Sequence, residues 1–393
     1  MNSLEIFSGA GGLARGLQEA GFQHSGFVEF NTHACATLKA NFDASKVYCG
    51  DIRDYDLGSL TSIDIVAGGP PCQPFSVGGK GQANDDSRDM FPYAIRAIER
   101  LTPKAFVFEN VKGLLRPSFS EYFEYILLRL TYPGLKSVSS TDWRDHLELL
   151  RKIDGVGYTG IKYKVQYRLL NAADYGIPQT RERVVIIGIR SDIGTDWNFP
   201  EATHSEDRLL WDQYVTGDYW QRHQLIPHFE LETVKSQAER VKRLQARYGM
   251  FKPEMHPWLT VRDALKDVPD PQSDHGIKDH IYKGGARSYP GHTGSYIDWA
   301  AKTVKAGGHG VPGGENMIRF EDGRVRYFTV HEAKLIQTFP MDFEITGAWG
   351  EAMRQIGNAV PVKLAAVLGK RLSDQLSPAR NFKPIVEHQV INC

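Results

Sequence analysis

Cys72 follows two prolines in Gly68-Gly69-Pro70-Pro71-Cys72-Gln73-Pro74-Phe75-Ser76, directly after the apolar run Asp64-Ile65-Val66-Ala67. A buried strand that empties into a loop has this look. Prolines restrict φ and hold the thiol in one direction, and ligands of open α/β sheets bind beyond the carboxyl ends of the strands. A thiol placed there can act as a nucleophile. An isolated cysteine is more often buried and inert, a description that suits Cys35 and Cys49 better. A second strand end, Phe106-Val107-Phe108-Glu109-Asn110-Val111, delivers a carboxylate beside that cysteine. Partial desolvation would suit Glu109 to donating a proton. Gln179-Thr180-Arg181-Glu182-Arg183 precedes the strand candidate Val184–Ile189. Its arginines read either as part of a solvated charge run or as planar forks aimed at oxygen atoms. The turn Phe7-Ser8-Gly9-Ala10-Gly11-Gly12-Leu13 allows positive φ and close approach of backbone to a ligand. Glu29 would then suit a ribose diol and Asp51 an adenine amino group. A plain turn with two solvated acids is the other reading.

These groups need strands to carry them. Ser3–Phe7, Ser25–Glu29, Val47–Cys49, Asp64–Ala67 and Lys104–Phe108 read as strands, with helical spacing over Gly11–Ala20, Thr32–Asn41 and Phe91–Leu101. That alternation predicts a doubly wound, mostly parallel α/β sheet, to which Lys164–Leu170 and Val184–Ile189 add two strands. Thr131–Gly160 reads as a surface insertion with one helix near Trp143–Lys152. The pattern changes after about residue 191, where Trp, His, Pro and Gly become frequent, and helical spacing returns at Val330–Thr338 and Ala359–Leu376. The expected division is 1–190 catalytic and cofactor-binding, 191–325 a smaller irregular domain, 326–376 a segment returning to the first, and 377–393 a tail. The chain of 393 residues, 41% hydrophobic and 24% charged, has an ordinary globular profile. Nothing resembles a signal peptide or a membrane span, so a cytoplasmic protein is expected. Four cysteines are too few for a disulfide scaffold, and none forms a CxxC pair, so no metal site is expected. Lys+Arg and Asp+Glu balance at 47 each, which neither requires nor excludes a basic cleft.

The Pro-Pro-Cys-Gln, Glu-Asn-Val and Gln-x-Arg-x-Arg elements, in this order, together with Gln355-Ile356-Gly357-Asn358-Ala359-Val360-Pro361, resemble the motifs of the bacterial, Dcm-like cytosine-5 DNA methyltransferase family. The resemblance runs from residue 3 to about 375, apart from the variable central domain and the 131–160 insertion. It implies a Rossmann-like fold that uses S-adenosylmethionine. It also implies catalytic roles. Cys72 would add to carbon 6 of cytosine, Glu109 would engage N3, Arg183 would contact O2, and Arg181 would brace phosphate or the covalent site. For the cofactor it implies Phe7 against adenine, a turn shaped by Gly9, Gly11 and Gly12, Glu29 on ribose and Asp51 on the adenine amine. Phe30, Ile52 and Pro70 would complete the walls, with Asn358 and Val360 returning from the C-terminal part. Two departures stand out. Asp89 occupies a position where the family often has Gly, and His331 precedes Glu332 where Arg is usual.

A target base inside a duplex is unreachable, so this chemistry calls for base flipping. The polar loop Val77–Asp89 would close over the base, with Ser76 and Arg88 as DNA contacts. The resemblance makes 191–325 a target-recognition domain, although it carries 17 Lys+Arg against 20 Asp+Glu. Charge is uneven there. From His275 to Phe320 six cations, including Lys278, Lys283, Arg287 and Lys305, face only Asp279, Asp298 and Glu315. Lys302, Thr303 and His309, the last in the run Ala306–Gly314, are candidate DNA contacts. Expected partners are double-stranded DNA and a cognate restriction endonuclease acting on the same sequence without a stable complex, with the protein itself a monomer. Two rival readings are a tRNA cytosine-5 methyltransferase, whose usual Pro-Phe-Thr and Cys-Phe-Thr signatures are missing, and an inactive DNA-binding regulator.

Overall fold

The computed structural model describes residues 1–71, 89–136, 142–154, 157–226, 234–306 and 316–377, with backbone alone for 234–237. Seven strands form the central sheet: β1 (Asn2–Ile6), β2 (Gln23–Glu29), β3 (Val47–Cys49), β4 (Ile65–Gly68), β5 (Ala105–Val111), β6 (Tyr163–Asn171) and β7 (Glu182–Arg190). Their order is β3-β2-β1-β4-β5-β7-β6. Every neighbour pair is parallel except β5–β7 and β6–β7. The doubly wound, mostly parallel sheet read from the sequence is therefore present. The order reverses between β1 and β4, which opens a crevice at their carboxyl ends. β4 is buried at every residue and β5 at all but its last, as expected of strands covered on both faces.

On one face lie α3 (Phe91–Leu101), α4 (Ser120–Thr131) and α5 (Trp143–Asp154), which cover Leu4, Val66, Phe106 and Phe108. The 131–160 stretch thus reaches the core through Trp143 and Leu147. On the other face α1 (Gly12–Glu19) and α12 (Val362–Leu376) cover Ile65, Ala67 and Val107. Between β2 and β3 runs α2 (Thr32–Asn41), started by Asn31, whose side chain accepts the Ala34 N–H. A disulfide joins Cys35 of α2 to Cys49 at the end of β3, with Cα atoms 5.8 Å apart. A single staple of this kind is not a scaffold.

Beyond β7 the strands are short and the helices uneven: β8 (His204–Ser205), α6 (Glu206–Tyr214), α7 (Asp218–Arg222), α8 (Val234–Tyr248), β9 (His256–Pro257), α9 (Val261–Leu265), β10 (Ser295–Tyr296), β11 (Met317–Arg319) and β12 (Val325–Tyr327). Then come α10 (Val330–Ile336) and α11 (Trp349–Asn358). Sequence spacing runs one helix from Ala359, whereas the structure breaks it. Ala359 is extended and α12 starts only at Val362, capped by Pro361; a proline disfavours helical backbone in the residue before it, here Val360. Among the described residues no helix is long and apolar enough to cross a membrane.

Candidate active site

Three strand ends meet at the crevice. Glu109 sits near the end of β5, opposite Val185 of β7, while Arg183 lies opposite Val111. This register brings Arg183 Nε to 2.6 Å from Glu109 Oε1, with both side chains nearly buried. Such an ion pair holds the carboxylate in one direction. Gly69, just beyond β4, lies beside Glu109, where an added Cβ would stand 3.6 Å from Oε2. Asn110 donates from Nδ2 to the Pro70 carbonyl at 3.0 Å, and Met90 N–H reaches the Pro71 carbonyl at 3.3 Å. Pro70 and Pro71 are therefore tethered from both sides. Cys72 follows Pro71 directly and lies, with Ser76 and Arg88, outside the described residues. Asp89, the first departure from the family pattern, has work here: it accepts from the Phe91 N–H at the start of α3 and from the Tyr122 hydroxyl of α4.

Arg181 differs from its expected place. Its guanidinium is 1% exposed and donates to the carbonyls of Val304 (3.2 Å), Gly357 (2.8 Å) and Ala359 (3.0 Å). Burial, and after it the neighbouring Arg183, push its pKa well below the ordinary arginine value, while Glu109 opposes them. A group so enclosed cannot meet a phosphate; it ties three segments together instead. Gln179, fully buried, works beside it, accepting the Val304 N–H at 3.0 Å and donating to Gln337. Thr180 N–H bonds the Ala301 carbonyl, and the Thr303 hydroxyl donates to the Thr180 carbonyl at 2.8 Å. Gly357 is needed at this joint, since a Cβ there would collide with the backbone of Lys305 and Ala306.

The turn after β1 is tight. Phe7, Gly9 and Gly11 have φ of 54°, 53° and 85°. An aromatic residue in the left-handed region is strained, and such strain gathers at ligand sites. Gly9 donates its N–H to Glu29 Oε2 at 2.7 Å, and Asn31 donates to Oε1 at 2.8 Å, so the carboxylate is aimed before any ligand arrives. Phe30 leaves 75% of its surface exposed beside it, an apolar ring with a free face. Ile52 and Pro70 are buried. Val360 is also buried, and its carbonyl packs on Gly12 so closely that no Cβ fits there, while Asn358 is exposed. Asp51 differs from expectation. Its carboxylate is taken by Arg53, through the backbone N–H and Nε at 2.9 Å each and through Nη2. Hydrogen bonds from Arg53 hold its pKa below the usual carboxylate value. The turn, the aimed Glu29 and the bare Phe30 ring fit a nucleoside, with Asp51 offering it only the lone pairs that Arg53 leaves.

Of the candidate DNA contacts, Lys302 donates from Nζ to the Thr293 hydroxyl at 2.9 Å, Thr303 sits at the joint described above, and His309 lies outside the described residues. His331, the second departure, pairs with Asp279 at 3.1 Å, and Glu332 is claimed by Arg326 and by the Thr329 N–H. Sequence alone missed Asn110 as a tether and, at the joint, Gln337 and Asn316, whose Oδ1 accepts the Lys305 N–H at 3.0 Å and whose Nδ2 donates to the Lys305 carbonyl at 3.1 Å. Only Asn110 carried a signal, since it stands inside the Glu-Asn-Val element.

The family described as C-5 cytosine-specific DNA methylase matches residues 1–374. The type II methyltransferase M.NgoMIV of Neisseria gonorrhoeae is 30% identical over 94% of this chain and 96% of its own length. M.AplI of Arthrospira platensis is 31% identical over 97% and 89%. Among solved structures, a putative DNA modification methyltransferase encoded within a prophage (E. coli) superposes with a TM-score of 0.58 at 21% identity, covering 96% of this chain and all of that one. The S. pombe Dnmt2 methyltransferase does so with a TM-score of 0.54 at 16% identity, covering 96% and 99%.

Proposed function

The chain belongs to the C-5 cytosine-specific DNA methylases and is a type II cytosine-5 DNA methyltransferase, and from that premise we propose that it modifies cytosine within one short duplex sequence through a covalent bond from Cys72 to carbon 6. The Glu109–Arg183 pair beside the tethered Pro70–Pro71 turn carries this reading. Cytosine is a poor nucleophile at carbon 5, so the enzyme must first add to carbon 6. The Cys72 thiolate makes that addition. Glu109 hydrogen-bonds or protonates N3, which leaves an enamine with its electron density at carbon 5. Arg183 holds Glu109 and reaches the neighbouring O2. S-Adenosylmethionine, when bound, supplies a methyl group on a sulfonium, an electrophile that the enamine can take. Loss of the carbon 5 proton and expulsion of Cys72 restore the ring. Glu29 is aimed for the ribose hydroxyls and Phe30 for the adenine face. Arg181 is a positioning residue.

The base must leave the duplex to reach this crevice, and in this reading the 191–325 region, joined to the catalytic strands at Gln179–Arg181, recognises the sequence around it. We further read the protein as a monomer working in the cytoplasm on nucleoid DNA, with a cognate endonuclease of the same specificity acting separately. The test is methyl transfer from labelled cofactor into unmethylated genomic DNA by wild type and Cys72→Ser, followed by bisulfite sequencing. Label at carbon 5 within one short motif, absent with the variant, is expected. Label in tRNA instead, or a fully active variant, would overturn the proposal.

A further inference from the structure

Arg183 borders a cavity of about 710 Å³. Leu115 and Leu169 contribute apolar wall, and among the described residues Lys112, Arg116, Arg183 and Lys305 stand around it against one carboxylate, Glu182. Lys112 begins the short 3-10 turn that leaves β5 three residues beyond Glu109. Its Nζ holds both Glu182 oxygens, at 3.0 and 2.8 Å. The pair is 58% and 46% exposed, so solvent screens it and it is weakly held. Arg116 closes the same turn, is exposed, and forms no ion pair among the described residues.

Resting on the methyltransferase reading above, we infer that this cavity receives the sugar–phosphate backbone of the duplex strand carrying the target base, with Lys112 and Arg116 as its phosphate contacts. The two lie outside the residues that the signature motifs point to. Apolar walls accept sugar and base faces, while a cationic rim accepts phosphate. Among the described residues that line the cavity, Glu182 alone repels an anionic ligand, and Lys112 already neutralises it. When phosphate arrives Lys112 changes partner, and Glu182 is left facing solvent. Glu182 therefore weakens binding through Lys112 as long as the lysine is present.

The experiment measures equilibrium binding of the full chain to a labelled unmethylated duplex across a salt series, with a tRNA of similar charge in parallel. Removing one phosphate-binding cation should lower the slope of log K against log salt by about 0.9. Lys112→Ala and Arg116→Ala should each do so on duplex. Lys370→Ala, which removes an equally exposed lysine ion-paired to Asp374 on α12, should leave the slope unchanged. Glu182→Gln should tighten binding several-fold in the wild-type background by freeing Lys112; in Lys112→Ala it should tighten binding too, by removing a carboxylate left without its cation, but should leave the lowered salt slope of Lys112→Ala unrestored. Matched thermal melts show that the variants fold. Wild-type slopes in both Lys112→Ala and Arg116→Ala, with methylation of duplex intact, overturn this inference alone. A slope change on tRNA but not on duplex overturns it in favour of RNA. Salt-independent binding of every nucleic acid by the wild type overturns it together with the functional reading.

Discussion

The two halves of the molecule hold their shape by different means. In the catalytic half, strands such as β6 and β7, nine residues each, are fixed by backbone ladders. In the variable half, β8, β9 and β10 have two residues apiece, and side chains do the fastening. Asp298 is the clearest case. Its carboxylate receives the Tyr219 hydroxyl at 2.7 Å and Arg262 Nε at 2.6 Å, and its carbonyl receives Gln213 Nε2 at 2.7 Å. Arg262 also grips Glu321. Backbone ladders tolerate many sequences; a knot of named side chains does not.

Arg181 joins the halves, and breaking it should have the largest effect. Arg181→Leu leaves the Val304 and Gly357 carbonyls without their side-chain donor, while Ala359 keeps Gln337 Nε2 at 3.2 Å, and should cost about 3–5 kcal/mol in urea unfolding. Arg181→Lys, which lacks the planar fork, should recover only part of that. A loss below about 1 kcal/mol would mean that the halves are not joined there. Next in size is Asp298→Ala, which leaves Arg262 with Glu321 and the Tyr219 hydroxyl with Thr260 and should cost about 2–4 kcal/mol. Hydrogen exchange should quicken over 206–222 and 258–300 while amides of β4, β5 and β7 keep their protection. Quickening throughout the sheet would show that the two means of support are not separable.

The smallest expected effect is a graded acid response located in the variable half and its contacts. Burial works to raise Asp263, but His223, the Thr260 N–H and Arg222 bring it down to about 2. Asp279 is likewise opposed by burial and pulled down to about 2 by His331 and Lys334. Burial, then Lys363 and His256, lower His204 to about 4. The unfolded chain takes up a proton on His204 near pH ~6.5, earlier than the folded one, so stability declines from there toward 4. The stability contributed by the two aspartates is present above ~4 and is lost as pH falls through about 2. Urea midpoints measured against pH should fall in these two stages, and His204→Gln should flatten the first alone. A flat profile between 6.5 and 4 in the wild type would contradict this.

The same contrast explains what could be read in advance. Asp64–Ala67 and Val184–Ile189 were legible as strands because a continuous apolar run is a local property, and the structure places β4 and β7 there. Cys72, Glu109 and Arg183 stood out because the chemistry restricts their types. The Tyr219–Asp298 bond spans 79 residues, and no local pattern announces it. Arg181 looked like one charge among several, since the burial of a charge is decided by the segments that fold over it. Asp51 and Arg53, two residues apart, form a pair that spacing alone did not distinguish from two solvated charges.

The turn before α12 closes on Gly12, and α12 itself covers the sheet beside α1. A ribosome makes Gly12 and Val360 about 350 residues apart. The first turn of the chain emerges early and waits, without its back wall, for residues some 350 positions later. A nascent chain, or one cut short before residue 362, carries Cys72 and Glu109 yet lacks the packing behind that turn. Activity should therefore switch on only once α12 has been made and packed, with no half-active form ending before residue 362.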